Sequence, residues 1–241
     1  MIRFILSLKI EGKAIKARVS KCTSLFVLSN VLLFLFFLQS SDALFIQGDG
    51  SKGDFVGELT YGAISTTTAN LIVELTNTSP LDNGGYLTAF VFNNPGNQIS
   101  NVTLTPTDTD FSLLGDTNFN NGINAMPFGY FDIGASTSNS FQGGGPPSKG
   151  IGVGDMGIFT FGLTGTNLDQ LTTQSFVNEL SSANQFFVAR FRGFDDGDSN
   201  KTTAETATTP EPSTFFLFGV GILGVLGYSY RRRKKPYLKS L

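Results

Sequence analysis

The amino-acid sequence predicts an all-β fold. We expect a β-sandwich, Ig-like or jelly-roll-like, with one short helix and an apolar helix near each end of the chain. Several apolar runs alternate with polar residues at a period of two, which is typical of half-buried strands. Clusters of Gly, Asn and Pro separate these runs, as in sandwiches built from many short strands. Residues 44–209 contain 16 Phe, enough aromatic side chains for one large core.

Five strands follow from this alternation. In chain order they are predicted at residues 69–77, 86–93, 101–105, 158–163 and 186–192. The second of these runs is apolar on both faces, which indicates a central strand. In the last run Arg190 and Arg192 alternate with Phe187 and Phe191, so we expect both arginines on a solvated face.

One helix and one spacer complete the domain. A helix is predicted over residues 168–180, because Asn167 and Gln170 can form a capping box before apolar residues at helical spacing. Residues 199–209 are polar and hold no core-forming side chain, which predicts a flexible spacer. The folded domain is therefore expected at residues 44–198.

The charge of the chain is divided into three regions. Residues 1–43 carry a net +4, residues 44–209 a net −11 and residues 210–241 a net +5. The acidic middle region would repel nucleic acid, so no nucleic-acid partner is expected. There is no His, and the single Cys22 precedes the first apolar run. These absences exclude a Ser-His-Asp triad and imidazole metal sites, and they leave the domain without disulfides.

The N-terminal segment predicts a signal peptide over residues 1–43. A basic stretch precedes the 14-residue apolar run at residues 25–38, which is short for a membrane span. Ser41 and Ala43 then provide small residues at positions −3 and −1, so signal peptidase is expected to cleave after Ala43. The alternative is an uncleaved anchor.

The C-terminal segment predicts a transmembrane helix at residues 215–230. Pro210, Glu211 and Pro212 precede it, and a basic cluster of Arg231, Arg232, Arg233, Lys234 and Lys235 follows it. Sixteen helical residues reach about 24 Å, slightly less than the hydrocarbon core of a bilayer. By the positive-inside rule the basic cluster stays in the cytoplasm, with residues 236–241 as a cytoplasmic tail and the acidic domain outside.

This three-part tail resembles the PEP-CTERM sorting signal of bacterial exported proteins. The Pro-Glu-Pro element, the apolar helix and the arginine-rich end occur in that order over residues 210–235. The resemblance implies that an exosortase processes the tail, with Pro210, Glu211 and Pro212 as its recognition element. It also implies a bacterium that makes exopolysaccharide.

The domain itself resembles a group of PEP-CTERM proteins. The resemblance rests on LTNTSP at residues 75–80, GGYLTAFVFNNPGN at 84–97, GIFTFGLTGTNL at 157–168 and FVARFRGFDDGDSNK at 187–201. It supports the fold and the destination, and it implies no activity.

The sequence offers one candidate metal site. Asp196, Asp198 and Asn200 alternate, so their oxygens could converge on one Ca²⁺ ion, but the pattern lacks the later Glu of an EF-hand on a helix. A solvated turn is the simpler interpretation of the same residues, and no cofactor is otherwise expected.

Two kinds of carbohydrate chemistry remain open. Paired carboxylates could hydrolyse glycosides, but the sequence favours no pair, and we expect no enzyme activity. Exposed aromatic rings could bind sugars, and the candidates are Tyr61, Tyr86 and Tyr130, each of which core or edge packing would also explain.

The sequence therefore predicts an exported, non-enzymatic protein of the cell surface or extracellular matrix, associated with exopolysaccharide in a biofilm. It would pass through the cytoplasmic membrane by way of its C-terminal helix. The alternatives are a carbohydrate-binding module on secreted polysaccharide and a permanently anchored single-pass membrane protein.

Overall fold

Two antiparallel sheets account for most of the computed structural model, which describes residues 42–115, 119–207 and 221–222. Within residues 42–115 and 119–207 there are thirteen strands and one α-helix. The strands are β1 (Asp42–Gly48), β2 (Phe55–Ala63), β3 (Thr68–Asn77), β4 (Gly84–Phe92), β5 (Ile99–Pro106), β6 (Ser112–Leu114), β7 (Ile123–Asn124), β8 (Tyr130–Phe131), β9 (Ile133–Ser136), β10 (Met156–Gly165), β11 (Phe187–Phe194), β12 (Ser199–Thr203) and β13 (Glu205–Thr206). The helix is α1 (Thr173–Asn178).

The strands are divided between a first sheet of six and a second sheet of five. The first sheet has the order β13-β1-β2-β3-β10-β5, and the second has the order β12-β11-β4-β9-β6. Strands β7 and β8 form a separate hairpin. All five runs predicted from alternation are strands, and β4 lies at the centre of its sheet, as its two apolar faces predicted.

Phenylalanine rings join the two sheets. Phe90 of the second sheet contacts Phe159 and Phe161 of the first, with ring centroids 4.7 and 6.1 Å apart. Phe55 of the first sheet packs against Phe187 of the second at 5.7 Å. The sheets therefore face each other as layers of a sandwich. Of the sixteen Phe in residues 44–209, all but Phe45 and Phe128 are buried.

The outer faces of the two sheets differ. Burial alternates along β3, and Val56 and Met156 on the outer face of the first sheet are 45% and 57% exposed. The β7–β8 hairpin and neighbouring loops cover the outer face of the second sheet and form a second core with it. This second core comprises Ala89, Val91, Leu114, Ile123, Ala125, Phe131, Phe141 and Val188. Both cores lie within residues 42–207, so this segment contains what it needs to fold as a domain.

The predicted helix is shorter than expected and begins later. Residues 168–170 form a 3-10 turn, and only Thr173–Asn178 is α-helical. Asn167 does not cap a helix, because its backbone is left-handed with φ 53°. The capping box instead uses Thr172 and Ser175, where the Ser175 hydroxyl accepts a hydrogen bond from the Thr172 N–H at 3.1 Å. The prediction of one continuous helix over residues 168–180 was therefore wrong.

The predicted spacer is largely part of the sandwich. Strand β12 pairs with β11, and β13 pairs with β1, so residues 199–206 add an edge strand to each sheet. Thr202 is only 3% exposed, and its hydroxyl donates to the Gly53 carbonyl. Ala204 is 5% exposed and belongs to the main core. A polar sequence forms strands here because the ladder hydrogen bonds come from the backbone of its neighbours.

Candidate functional site

Two of the three residues of the predicted cation site contact a lysine. The Nζ atom of Lys52 contacts the Oδ2 atoms of both Asp196 and Asp198, the second at 2.5 Å. Asn200 has other partners, since its Nδ2 donates to Ser51 Oγ at 2.7 Å and its Oδ1 accepts from Thr202 Oγ1 at 3.1 Å. The structure thus brings the two aspartates together around an ammonium group, with the asparagine amide turned to the neighbouring loop.

This ion pair sets the electrostatics of the cluster. The hydrogen bond from Lys52 lowers the pKa of Asp196, and the hydrogen bonds to both aspartates raise the pKa of Lys52. Among residues 42–115, 119–207 and 221–222, no three acidic, His or Cys side chains are grouped so as to hold a metal ion. A calcium ion would have to compete with Lys52 for the same oxygens. The calcium site stays a prediction, and Lys52, far away in sequence, was missed.

The two arginines of β11 hold a loop, in contrast to the solvated face that the sequence predicted. The Nη1 of Arg190 donates to the carbonyls of Phe141 and Gly143 at 2.9 and 2.7 Å. Arg192 donates to the Gly145 carbonyl at 3.1 Å. The arginines therefore fasten the glycine-rich loop onto the outer face of the second sheet.

A third cation adjoins this pair. Lys201 on β12 lies directly opposite Arg190 on β11. Burial lowers the pKa of Lys201, and the charge of Arg190 lowers it further. Burial likewise lowers the pKa of Arg190. No carboxylate in the described part of the chain forms an ion pair with any of these three cations.

The three candidate tyrosines have different environments. Tyr61 is 6% exposed, and its hydroxyl donates to the Leu168 carbonyl at 2.6 Å. Burial raises the pKa of Tyr61 to about 12, so it is a core residue. Tyr130 is 42% exposed on the β7–β8 hairpin. Tyr86 is half-buried and lines a pocket of about 360 Å³ at the start of β4.

The residues that carry the resemblance of the domain have structural roles. Asn77 is fully buried, and its Nδ2 donates to the carbonyls of Gly85 and Ile151 at 3.2 and 2.9 Å. Asn94 is also buried, and its Nδ2 donates to the carbonyls of Ile99 and Phe119 at 2.8 and 3.1 Å. These amides satisfy loop carbonyls that would otherwise be buried without partners.

The two ends of the domain lie side by side. In the β1–β13 pair, Ile46 is opposite Thr206, and the Ala207 N–H donates to the Phe45 carbonyl at 2.8 Å. Ala43, the predicted cleavage residue, already lies on β1 opposite Thr60. Cleavage there would leave residues 44–48 of β1 in place. The domain would therefore remain closed after loss of the N-terminal segment.

Both terminal sorting segments lie outside the described residues. These are residues 1–41 and, in the tail, Pro210, Glu211, Pro212, Arg231, Arg232 and Arg233. Of the predicted transmembrane helix only Gly221 and Ile222 are described, and both are helical. In the described part of the chain, no helix has the length and hydrophobicity that a membrane crossing requires.

The comparison with known families identifies the tail. The family model of the PEP-CTERM protein-sorting motif matches residues 208–234. A comparison with curated proteins gives no match. The family-model match confirms the resemblance predicted from Pro210, Glu211 and Pro212. The matched residues begin directly after Ala207, the last described residue of the domain. The chain therefore carries the sorting signal of an exported protein that an exosortase sorts to the cell surface or beyond.

Proposed function

We propose that this chain is a non-enzymatic component of the bacterial cell surface or extracellular matrix, associated with exopolysaccharide. The observation that carries the proposal is the sorting motif at residues 208–234. Residues 44–207 are the cargo, and the C-terminal segment directs its sorting. Signal peptidase removes residues 1–43, and the exosortase then separates the tail from the domain.

The composition of the cargo supports a structural role. The domain has no His and no Cys, which removes the commonest general base and the thiol nucleophile. Among the strand pairs of the described residues, Glu58 and Glu74 are the only two acids that lie directly opposite each other, in the β2–β3 register. A stable sandwich with a net charge of −11 is suited to remain soluble outside the cell.

The sorting step can be tested by substitution of the recognition element. In cells that contain the exosortase, Pro210, Glu211 and Pro212 are replaced together by Ala in the full chain. Leu238, Lys239 and Ser240, which lie beyond the matched residues, are replaced by Ala as the matched control. We expect the first variant to stay in the cytoplasmic membrane fraction and the control to reach the surface fraction. Equal surface delivery of both variants would refute the proposal.

The association with exopolysaccharide needs a separate experiment. The full chain is expressed in a strain that makes exopolysaccharide and in one that does not. We expect the mature protein to be retained with the cells only in the first strain and to be released into the medium in the second. Equal retention in both strains would favour the alternative, a permanently anchored membrane protein.

A further inference from the structure

A pocket lies at the start of β4. Tyr86 lies in its wall, and Leu81, which is 81% exposed, lies at its rim. The remaining lining includes the carboxylates of Asp155 and Asp195 and the backbone of several glycines. Its volume of about 360 Å³ is at the low end of small-molecule sites.

Two glycines flank opposite edges of the Tyr86 ring. A Cβ atom at Gly152 would lie 3.7 Å from Tyr86 Cε1, and one at Gly193 would lie 3.5 Å from Tyr86 Cδ2. Larger side chains at either position would therefore cover an edge of the ring. Gly193 also has φ +74°, a backbone conformation that favours glycine. Glycine at these two positions adds no side chain over either edge of the ring.

The pocket contains two carboxylates, those of Asp155 and Asp195. The missing Cβ of Gly152 would also lie 3.0 Å from Asp155 Oδ2, which places this carboxylate on the same side as Tyr86. The carboxylates of Asp155 and Asp195 form no ion pair among the described residues, unlike those of Asp110, Asp196 and Asp198. Arg192 is the cross-strand neighbour of Tyr86, but its guanidinium donates to the Gly145 carbonyl.

We propose that this pocket binds one or two uncharged pyranose rings of a saccharide. A pyranose ring has an apolar C–H face that can pack on the Tyr86 ring and hydroxyl donors that suit the two carboxylates. The carboxylates repel uronate and sulfated sugars, so an acidic polysaccharide is not the ligand. The inference extends the proposed function by a binding site, and it holds for the domain whether or not the tail is processed.

Isothermal titration with neutral oligosaccharides tests the site on the domain of residues 42–207. A glycan array first selects the sugars. Tyr86→Ala removes the ring, and Tyr130→Ala removes an exposed tyrosine that does not line this pocket. We expect Tyr86→Ala to weaken binding at least tenfold and Tyr130→Ala to leave it unchanged. Gly152→Val, which places a side chain against the ring, should also abolish binding, with an unchanged melting temperature as evidence of folding.

Several outcomes would overturn the site. These are no binding of any neutral sugar at millimolar concentration, equal binding by wild type and Tyr86→Ala, and a preference for uronate polymers. Binding of tetramethylammonium with the same dependence on Tyr86, but of no sugar, would show a cation site instead. Normal surface delivery with no sugar binding would overturn this inference alone and leave the proposed sorting intact.

Discussion

The two outer faces of the sandwich differ in whether other parts of the chain cover them. The outer face of the first sheet is open to solvent, with Val56 and Met156 exposed among polar neighbours. The outer face of the second sheet is covered by the β7–β8 hairpin and the loop that follows β9, which bury Phe131 and Phe141 completely or nearly so. One sheet therefore contributes to one core and the other sheet to two.

The difference explains the two sequence patterns. Strand β3 alternates between buried and partly exposed residues, because only its inner face is covered. In β4 almost every residue is buried, since cores lie on both sides. Arg190 fastens this cover to the second sheet through the carbonyls of Phe141 and Gly143. Substitutions should therefore cost most between the sheets, less under the cover and least at exposed positions.

The largest effect is expected between the sheets. Phe90→Ala removes a fully buried ring that packs against Phe159 and stacks on Phe187 at 5.6 Å. We expect the free energy of unfolding to fall by about 3–5 kcal/mol, because a cavity remains between two rigid layers. Urea denaturation measures it, with Phe90→Leu as a milder variant that should lose less. A loss below about 1 kcal/mol for Phe90→Ala would show that the sheets are not packed as described.

Substitutions under the β7–β8 hairpin and the loop that follows β9 should lower the free energy of unfolding less. Phe141→Ala removes a ring from the second core, and we expect a loss of about 3 kcal/mol, because the loop can partly collapse into the space. Met156→Ala on the open face is the matched control and should change stability by no more than about 0.5 kcal/mol. Hydrogen exchange should show the loss of protection around residues 137–150 before the first sheet. Equal losses for the two variants would remove the distinction between the faces.

Loss of the hydrogen bonds from Arg190 to the loop should have a smaller effect on stability. It should also change the pKa of Lys201. Arg190→Met keeps the aliphatic stem but removes the donors to the Phe141 and Gly143 carbonyls. We expect a loss of about 1–2 kcal/mol. The variant also removes a positive charge opposite Lys201, so the pKa of Lys201 should rise. NMR titration of the Lys201 side chain measures this pKa. An unchanged value would show that the charge of Arg190 does not act on Lys201.

The exposed ion pair should contribute least. Lys52→Met removes the partner of Asp196 and Asp198, and Lys149→Met, which removes the partner of Asp110, is the matched control. Since the pKa of Asp196 is lowered in the folded state, the pair stabilises the fold above about pH 4 and loses this effect as the pH falls through the folded-state pKa. Melting temperatures of wild type and variant should therefore differ slightly at pH 7 and converge near pH 2. A difference unchanged at pH 2 would contradict the pairing.

Much of the sandwich was predictable because burial leaves a pattern in the strands themselves. The period-two runs of β3 and β10 and the two apolar faces of β4 each indicated their place in the fold. Strand β12 left no such pattern, because its residues are polar and its stability comes from backbone pairing with β11. The helix was misplaced because two pairs of residues could form its capping box. Thr172 and Ser175 form it, in place of the predicted Asn167 and Gln170.

The tail was predictable, whereas the contacts within the domain were not. Pro210, Glu211 and Pro212 form a local motif that the sequence displays without folding. Lys52 is brought to Asp196 and Asp198 only by the closure of both sheets, across more than 140 residues. The glycines beside Tyr86 likewise come from distant segments, Gly152 from the loop before β10 and Gly193 from β11. Sites built from distant segments need the topology before they can be recognised.

The central proposal is that a folded cargo is separated from its sorting signal. Strand β13 ends the domain beside β1, and the matched motif begins at residue 208. Intact-mass analysis of the protein isolated from the cell surface tests this most directly. We expect one species that begins at Leu44 and has lost Arg231, Arg232 and Arg233 with the rest of the basic cluster. A surface protein that retains this cluster would contradict the account.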